Sequence, residues 1–591
     1  MKNPLSVCVP AHVVFPNIKS DFLTLKSLLG DLSRTDALFW CARLNKIVTN
    51  TEGNRIALQQ RALDQFLIAE EIKAINDFVL KDQQGDVKKV TIFFRGQILE
   101  LMRWILLFCQ DHHNDGETFN DPNIRRKFAQ ALLIAGDLWL KRIFENRFSL
   151  EGSIEEARER ALGTIRKSIE GSTSCPDLER SFGRGWAIFH DNFHKFYPSF
   201  NDEFKAAVGF SSDEYFSCLL ILAAYFNNPK IENTGIFNSK TFADALPTKA
   251  TFQKYLALEA QSIDNLCNLL WPVDQNVIEG DEFATPYNYL PLRQRPIVLV
   301  DDGRAIILDA SFFNEKAMVG PIFSLIKANP SEANKIFTAF GQAFEEYACD
   351  ILKRTFCEES ASLDKQLIFK YNISCDEGEA EIDTCLNKDG VAVIFEIKAV
   401  WIREDKILTD DYTNYSKHLL EKYGVSRTES GEDKIKGIGQ LARILKLINT
   451  ESFAKKDVRF RQVKDIYPIL LVYDDLLTAP AYGNFLSAEF EKLLNSEYKL
   501  NFEELKRRGT KVHPLIVMNI EDLENLECSI KHFDFCTLLS DYSNTCFDRL
   551  TSLNNFIAGS KYNKFMCRNK YLISKSLDLF NRTKSSIGTV V

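Results

Sequence analysis

The chain has 591 residues, 45% of them hydrophobic and 26% charged, enough for several domains with sizeable buried cores. Its formal net charge of −8 excludes a protein coated in basic surface, so any contact with nucleic acid has to come from a local patch. The first segment, MKNPLSVCVPAHVVF, lacks the charged-then-apolar pattern of a secretory leader, and the longest apolar run, 216–226, is shorter than the roughly 20 residues a membrane helix needs.

Residues 1–275 read as a helical domain. Apolar residues recur at three- and four-residue spacing over 36–48, 55–80, 90–110, 124–144, 154–170 and 212–226. Thr35 and Asp36 stand where a cap for the first run belongs, and Ser153 followed by Glu156 has the spacing of a capping box. No fixed repeat period appears, which argues against a solenoid. This part is expected to sense, oligomerise or dock a partner. His190 and His194, four apart, would share a helix face as metal ligands can, but no third ligand is nearby and two separate histidines is the expected reading. The 14 cysteines are scattered without a CxxC pair, which speaks against zinc and fits reduced thiols in a cytoplasmic protein with no membrane partner.

Residues 276–330 read as a β-hairpin connector. The β-rich runs 296–300 and 304–308 flank Asp301-Asp302-Gly303, and an amphipathic stretch starts at Ala310. Asn329-Pro330-Ser331 then marks a break, with Ser331 placed to cap the next helix.

From 331 to 530 the pattern is helix (332–356), strand (366–374), strand (380–386), strand (391–400), a polar insertion, helix (435–448) and strand (467–473). A helix at 485–505 and a strand at 512–520 would extend the sheet. The strand 391–400 is apolar except at Glu396 and Lys398, as a central strand buried on both faces reads. Side chains alternate along a strand, so these two charges share one face while Phe395 and Ile397 take the other. Unpaired charges are costly there unless they face a cleft or bind something charged. A hairpin turn over 387–390, ending in Asp-Gly, brings Asp383 alongside. Two carboxylates and an ammonium on adjacent strands suit a hard divalent cation and a phosphate oxygen.

Asp383, twelve intervening residues, then Glu396-Ile397-Lys398 resembles the D…(D/E)xK signature of the PD-(D/E)XK, or restriction-endonuclease-like, nuclease superfamily. Ile382 stands where the family often has proline. The resemblance implies an αβββαβ core with a mixed central sheet, which after the helical amino-terminal half makes the chain an α/β (α+β overall) protein. It implies Mg²⁺, with Mn²⁺ as a substitute, held by Asp383 and Glu396, and phosphodiester hydrolysis of DNA or RNA with Lys398 assisting. Glu345, after Phe344 on the first core helix, resembles the extra acidic ligand of many members, with Glu346 as its rival. Gln440 on the later helix matches a glutamine of some branches, although Ile444 replaces the tyrosine they carry four residues on. By analogy the protein would be a DNA endonuclease acting in prokaryotic restriction or antiphage defence, as a homo-oligomer or with a partner defence protein. The alternative is a non-catalytic nucleic-acid-binding or assembly module on the same fold.

Further cations are candidates for phosphate contacts: Lys434 and Lys436 before the later helix, Lys455, Lys456, Arg459, Arg461 and Lys464 interspersed with Phe453 and Phe460, and Lys506-Arg507-Arg508. The insertion 401–433 is long for a compact core and suggests a functional loop. No P-loop or Gly-x-Ser-x-Gly motif occurs. Residues 531–591 read as a basic extension: between 551 and 591 seven Lys and Arg face one Asp, a net of 7 − 1 = +6.

Overall fold

The computed structural model describes residues 7–49, 63–81, 90–110, 121–144, 177–227, 236–246, 248–271, 289–300, 303–356, 365–376, 378–402, 412–427, 433–450, 453, 457–461, 463–479, 482–500, 509–546 and 551–587. The predicted helix at 154–170, its Ser153–Glu156 capping box, residues 403–411 and 428–432 of the 401–433 insertion, and Lys455, Lys456 and Lys506-Arg507-Arg508 lie outside them, and so does the Arg461 side chain. The rest of the insertion holds a helix, Tyr412–Tyr423, and a short strand, Val425–Arg427. Among the described residues no single helix is long and apolar enough to cross a membrane.

The molecule is mixed α/β with several sheets. Near the amino terminus β1 (Val7–Cys8) pairs in parallel with β2 (Val90–Thr91), so the run predicted as helix from 90 becomes helical only over Arg95–Phe108. A four-stranded sheet has the order β3 (Ile236–Asn238), β6 (Arg304–Ile307), β5 (Ile297–Leu299), β4 (Ala260–Ser262). The main sheet follows the order β13–β12–β9–β8–β7 with β14 also on β12. Its strands are β7 (Lys365–Cys375), β8 (Gly378–Lys388), β9 (Val391–Lys398), β12 (Asp465–Val472), β13 (Lys511–Val512) and β14 (Ile516–Asn519). Between β9 and β12 comes a small antiparallel hairpin of β10 (Val425–Arg427) and β11 (Asp433–Ile435). Helices relevant below are α1 (Leu178–Trp186), α2 (Ala310–Ala328), α3 (Ala333–Phe356), α4 (Ile438–Ile448), α5 (Ile520–Ser529) and α6 (Lys570–Ile587). Thr35 and Asp36 fall inside the first turn of Arg34–Thr49 rather than at its cap.

Apart from Glu396, Lys398 and Asp465, β9 and β12 are apolar because both faces of the sheet are covered. Val393, Phe395, Ile397, Ile469 and Leu471 enter the core beneath α3 and α5. Ala392, Ile394, Leu470 and Val472 enter the one beneath α4. Helices from 178 onward, such as α1 and Ser212–Asn227, share the α3 core, so a boundary at 275 does not separate two cores. The stretch expected as a connector is a wall between cores: Ile297, Ala305 and Ile307 face the α3 side, while Val298, Ile306 and Leu308 face a third core built from residues 9–139 and 263–312. Periodicity shows that a helix has an apolar face; it does not say which core receives it.

A fully buried ion pair ties this lower half together. Arg184 of α1 donates from Nε and Nη2 to both oxygens of Glu524 on α5, each at 2.7 Å, and Tyr347 of α3 donates to Glu524 at 2.8 Å. Burial opposes the Arg184 charge, but Glu524 outweighs it and raises its pKa well above the usual arginine range. α1 is squeezed between α6 and α2 at glycines: a Cβ on Gly183 would lie 2.3 Å from the Leu572 carbonyl oxygen, and one on Gly185 would lie 1.9 Å from that of Ala317. Gly185→Ala is therefore expected to cost about 3 kcal/mol or more, the upper range for overpacking, seen as a lower denaturation midpoint. An unchanged midpoint would refute this close packing.

The carboxy-terminal residues are part of the same core. Phe535, Leu538, Leu553, Leu572 and Leu579 are buried in it. Several of its cations are paired with acids, Lys575 with Asp191 at 2.6 Å and Lys561 with Asp541 at 2.9 Å, and the Arg354 guanidinium lies 3.6 Å above the Tyr571 ring. The expected basic extension is thus a packed element with part of its charge neutralised.

Candidate active site

β8 and β9 are joined through Asp389 (φ +51) and Gly390 (φ +81), two left-handed residues suited to a tight primed hairpin turn. Their pairing runs from Lys388↔Val391 to Thr384↔Phe395 and ends there. β9 continues, held on its other edge by β12 as far as Lys398↔Val472. Beyond Phe395 its β8 edge is therefore open, and Asp383 Oδ2 accepts the Ile397 N–H at 2.8 Å in place of a strand carbonyl.

The divergence has a local cause. In the β7–β8 register the position across from Asp383 is Lys370, which has φ +46, and pairing skips it between Phe369↔Thr384 and Tyr371↔Ile382. A left-handed residue other than glycine costs roughly 1–2 kcal/mol. Both strands turn over here. Cys385 and Ile368 face the α4 core while Thr384 meets Cys349 of α3, yet past the bend Ile382 and Ile373 also face α4, one residue out of alternation.

Into the opened gap come the predicted side chains. Glu396 is fully buried, and its Oε1 lies 2.5 Å from Lys398 Nζ, whose side chain is 22% exposed. Apart from that ion pair neither Glu396 oxygen has a hydrogen-bond partner among the described residues. Burial pushes the Glu396 carboxyl up to about 8, with Lys398 opposing and Asp383 adding to the rise. Burial likewise pushes Asp383 up to about 6 against the pull of Lys398 and the Ile397 N–H. For Lys398 burial works against the charge, but Glu396 and Asp383 outweigh it and its pKa is raised.

Glu345 projects from α3, and its charge bears on both Asp383 and Glu396. Its Oε1 is 3.2 Å from Lys370 Nζ, while Glu346 turns to Lys353 at 3.7 Å. Gln440 is elsewhere engaged: its Oε1 accepts the Gly437 N–H at 3.1 Å and closes the start of α4. Lys436 is half-buried just before that helix, and burial lowers its pKa together with the like charges of Lys434, Lys422 and Lys398. Arg459 is not available for a nucleic-acid backbone; it donates to Asp457 and lies over the Tyr371 ring, and Phe453 and Phe460 are buried in the α4 core. His190 stacks on Trp186 and pairs with Asp191 in a π-helical turn, Ala187–Phe193, and so is engaged without His194.

Among the described residues no three His, Cys, Asp or Glu side chains stand close enough to enclose a metal ion. A hard dication such as Mg²⁺ is commonly held by one or two carboxylates, with water and substrate phosphate completing its shell. The Asp383 oxygen not taken by the Ile397 N–H and the buried Glu396 oxygens fit that open arrangement, with Lys398 paired to one Glu396 oxygen.

The residue that sequence reasoning missed is Lys370. An isolated lysine inside a strand carries no signal of a left-handed backbone. Compared with known proteins, the chain matches no family model, no curated protein and no solved structure.

Proposed function

We propose that this chain is a divalent-metal-dependent nuclease that hydrolyses phosphodiester bonds of DNA, on a core of the restriction-endonuclease-like kind. The supporting observation is the convergence of Asp383, Glu396 and Lys398 where β8 leaves β9, with the Lys398 side chain partly exposed. The order α3, β7, β8, β9, α4, β12 also agrees with the αβββαβ expectation. Asp383 and Glu396 would hold Mg²⁺, which when bound polarises a phosphate oxygen and acidifies a water. Asp383 is anchored by the Ile397 N–H, which fixes one oxygen and leaves the other for the ion. Lys398 donates to the phosphate and stabilises charge gathering on it; its carboxylate neighbours keep it protonated. Burial of Glu396 makes the surroundings poorly screening, which strengthens each of these interactions. The family resemblance adds prokaryotic defence as the setting, with the amino-terminal helices docking a partner or a second copy.

The second reading, a nucleic-acid-binding module without catalysis, draws on the same Lys398–Glu396 pair, which gives the buried carboxyl a partner without a metal ion. The test is cleavage of plasmid and linear DNA, and of RNA, in Mg²⁺ and in chelator, by the native protein and by Asp383→Asn. Cleavage is expected only with Mg²⁺, and Asp383→Asn is expected to lower it about a hundredfold or more, the several kcal/mol a metal ion supplies. Equal products from both proteins would sink the proposal. Salt-sensitive DNA binding without Mg²⁺ uptake would favour the binding module.

A further inference from the structure

Among the described residues three non-glycine positions have a left-handed backbone: Lys370, Asp389 and Lys499. Asp389 is in a hairpin turn, and Lys499 follows the helical turn that ends at Glu497, both ordinary places for it. Lys370 sits mid-strand, where such strain persists only if its surroundings hold it, and where it gathers at functional sites. A glycine would meet the backbone requirement without strain, but it would carry no ammonium.

That ammonium is placed with purpose. Lys370 is 48% exposed, yet its Nζ stays 3.2 Å from Glu345 Oε1. Glu345 is near enough for its charge to act on Asp383 and Glu396, but the three acids do not form a closed ligand group. An exposed lysine–carboxylate pair is weak and opens readily, whereas an ammonium meeting a phosphate makes a strong charge-assisted hydrogen bond.

We propose that the Lys370–Glu345 ion pair is a substrate-operated latch: in the free protein it holds Glu345 off the Asp383–Glu396 site, and an arriving phosphodiester draws Lys370 away and releases Glu345 toward that site. This rests on the nuclease reading and names Lys370 as a positioning residue that acts through Glu345. The bend at Lys370 is what makes it possible, because the same left-handed residue parts β8 from β9 and carries the amine to α3.

The test is calorimetric titration of the full chain with Mn²⁺ alone, without nucleic acid. Lys370→Gly, which relieves the left-handed strain and should fold, is expected to bind Mn²⁺ about fivefold more tightly than the native protein, the upper end of what an exposed ion pair holds back. Adding Glu345→Gln should cancel that gain, and Lys370→Arg should bind as the native protein does. Asp383-dependent Mn²⁺ binding that is unchanged or weaker in Lys370→Gly would overturn the latch alone. Mn²⁺ binding that survives Asp383→Asn intact would overturn both the latch and the nuclease reading.

Discussion

Lys398→Met is expected to slow DNA cleavage by about 10² to 10³, the roughly 2.7–4 kcal/mol that one preorganised donor to developing charge supplies. The fold should survive the change, for a reason specific to this site. Removing one member of a buried pair usually costs about 3–5 kcal/mol because the other charge is stranded. Here Glu396 is pushed up to about 8 even with Lys398 opposing the rise, so at neutral pH it already holds a proton and removing Lys398 strands no charge. The penalty is then that of a buried neutral carboxyl. Lys398→Arg should rescue cleavage poorly, since a planar fork does not occupy the place of a compact ammonium 2.5 Å from Glu396. Single-turnover cleavage with thermal melting in parallel checks both parts. A Lys398→Met protein that cleaves at the native rate would remove Lys398 from the chemistry.

The strand pattern that led to Lys398 was legible in the residues, and so was much around it. The 391–400 run is observed as β9 over Val391–Lys398, and the Asp-Gly turn occurs at 389–390. These features are local: period-two alternation and turn chemistry act within a few residues. The short strands β3 and β4, three residues each, left no such period and were missed. The strand expected at 512–520 is two strands, β13 and β14, and the helix expected from 435 starts at Ile438 because 433–435 is β11.

What could not be read was tertiary. Arg184 looks like a surface arginine in sequence, yet it is buried against Glu524, 340 residues away. Gln440 has a helix-start position that suits a catalytic glutamine and an N-terminal cap equally, and the described hydrogen bond is the cap. The bend at Lys370 depends on β7 pairing with β8 while β8 parts from β9, a relation among three strands that no short window contains.

Raising the pH from 6 to 9 in chelator is expected to lower the melting temperature, and Mg²⁺ to restore it by an amount that grows with pH. Glu396 moves from an ordinary 4.5 up to about 8 on folding, and Asp383 from 3.8 up to about 6. Between those limits the folded protein holds protons that the unfolded chain has released. The stability these two groups contribute is therefore fullest below the ordinary carboxylate values and is lost as pH rises through about 6 for Asp383 and about 8 for Glu396. Each such proton contributes about 1.4 kcal/mol per pH unit. Asp522, buried and pushed up to about 7, adds to the same slope, so the difference between the native protein and Glu396→Gln isolates the site. Because Mg²⁺ competes with the proton for these oxygens, the cleavage rate should climb with pH to a plateau, and higher Mg²⁺ should move the midpoint down. Melting curves across pH, with and without Mg²⁺, measure the first effect; initial rates at several Mg²⁺ concentrations measure the second. If Glu396→Gln melts in parallel with the native protein at every pH, or if Mg²⁺ stabilises equally at pH 6 and above 8, then Glu396 neither holds the shifted proton nor meets the ion.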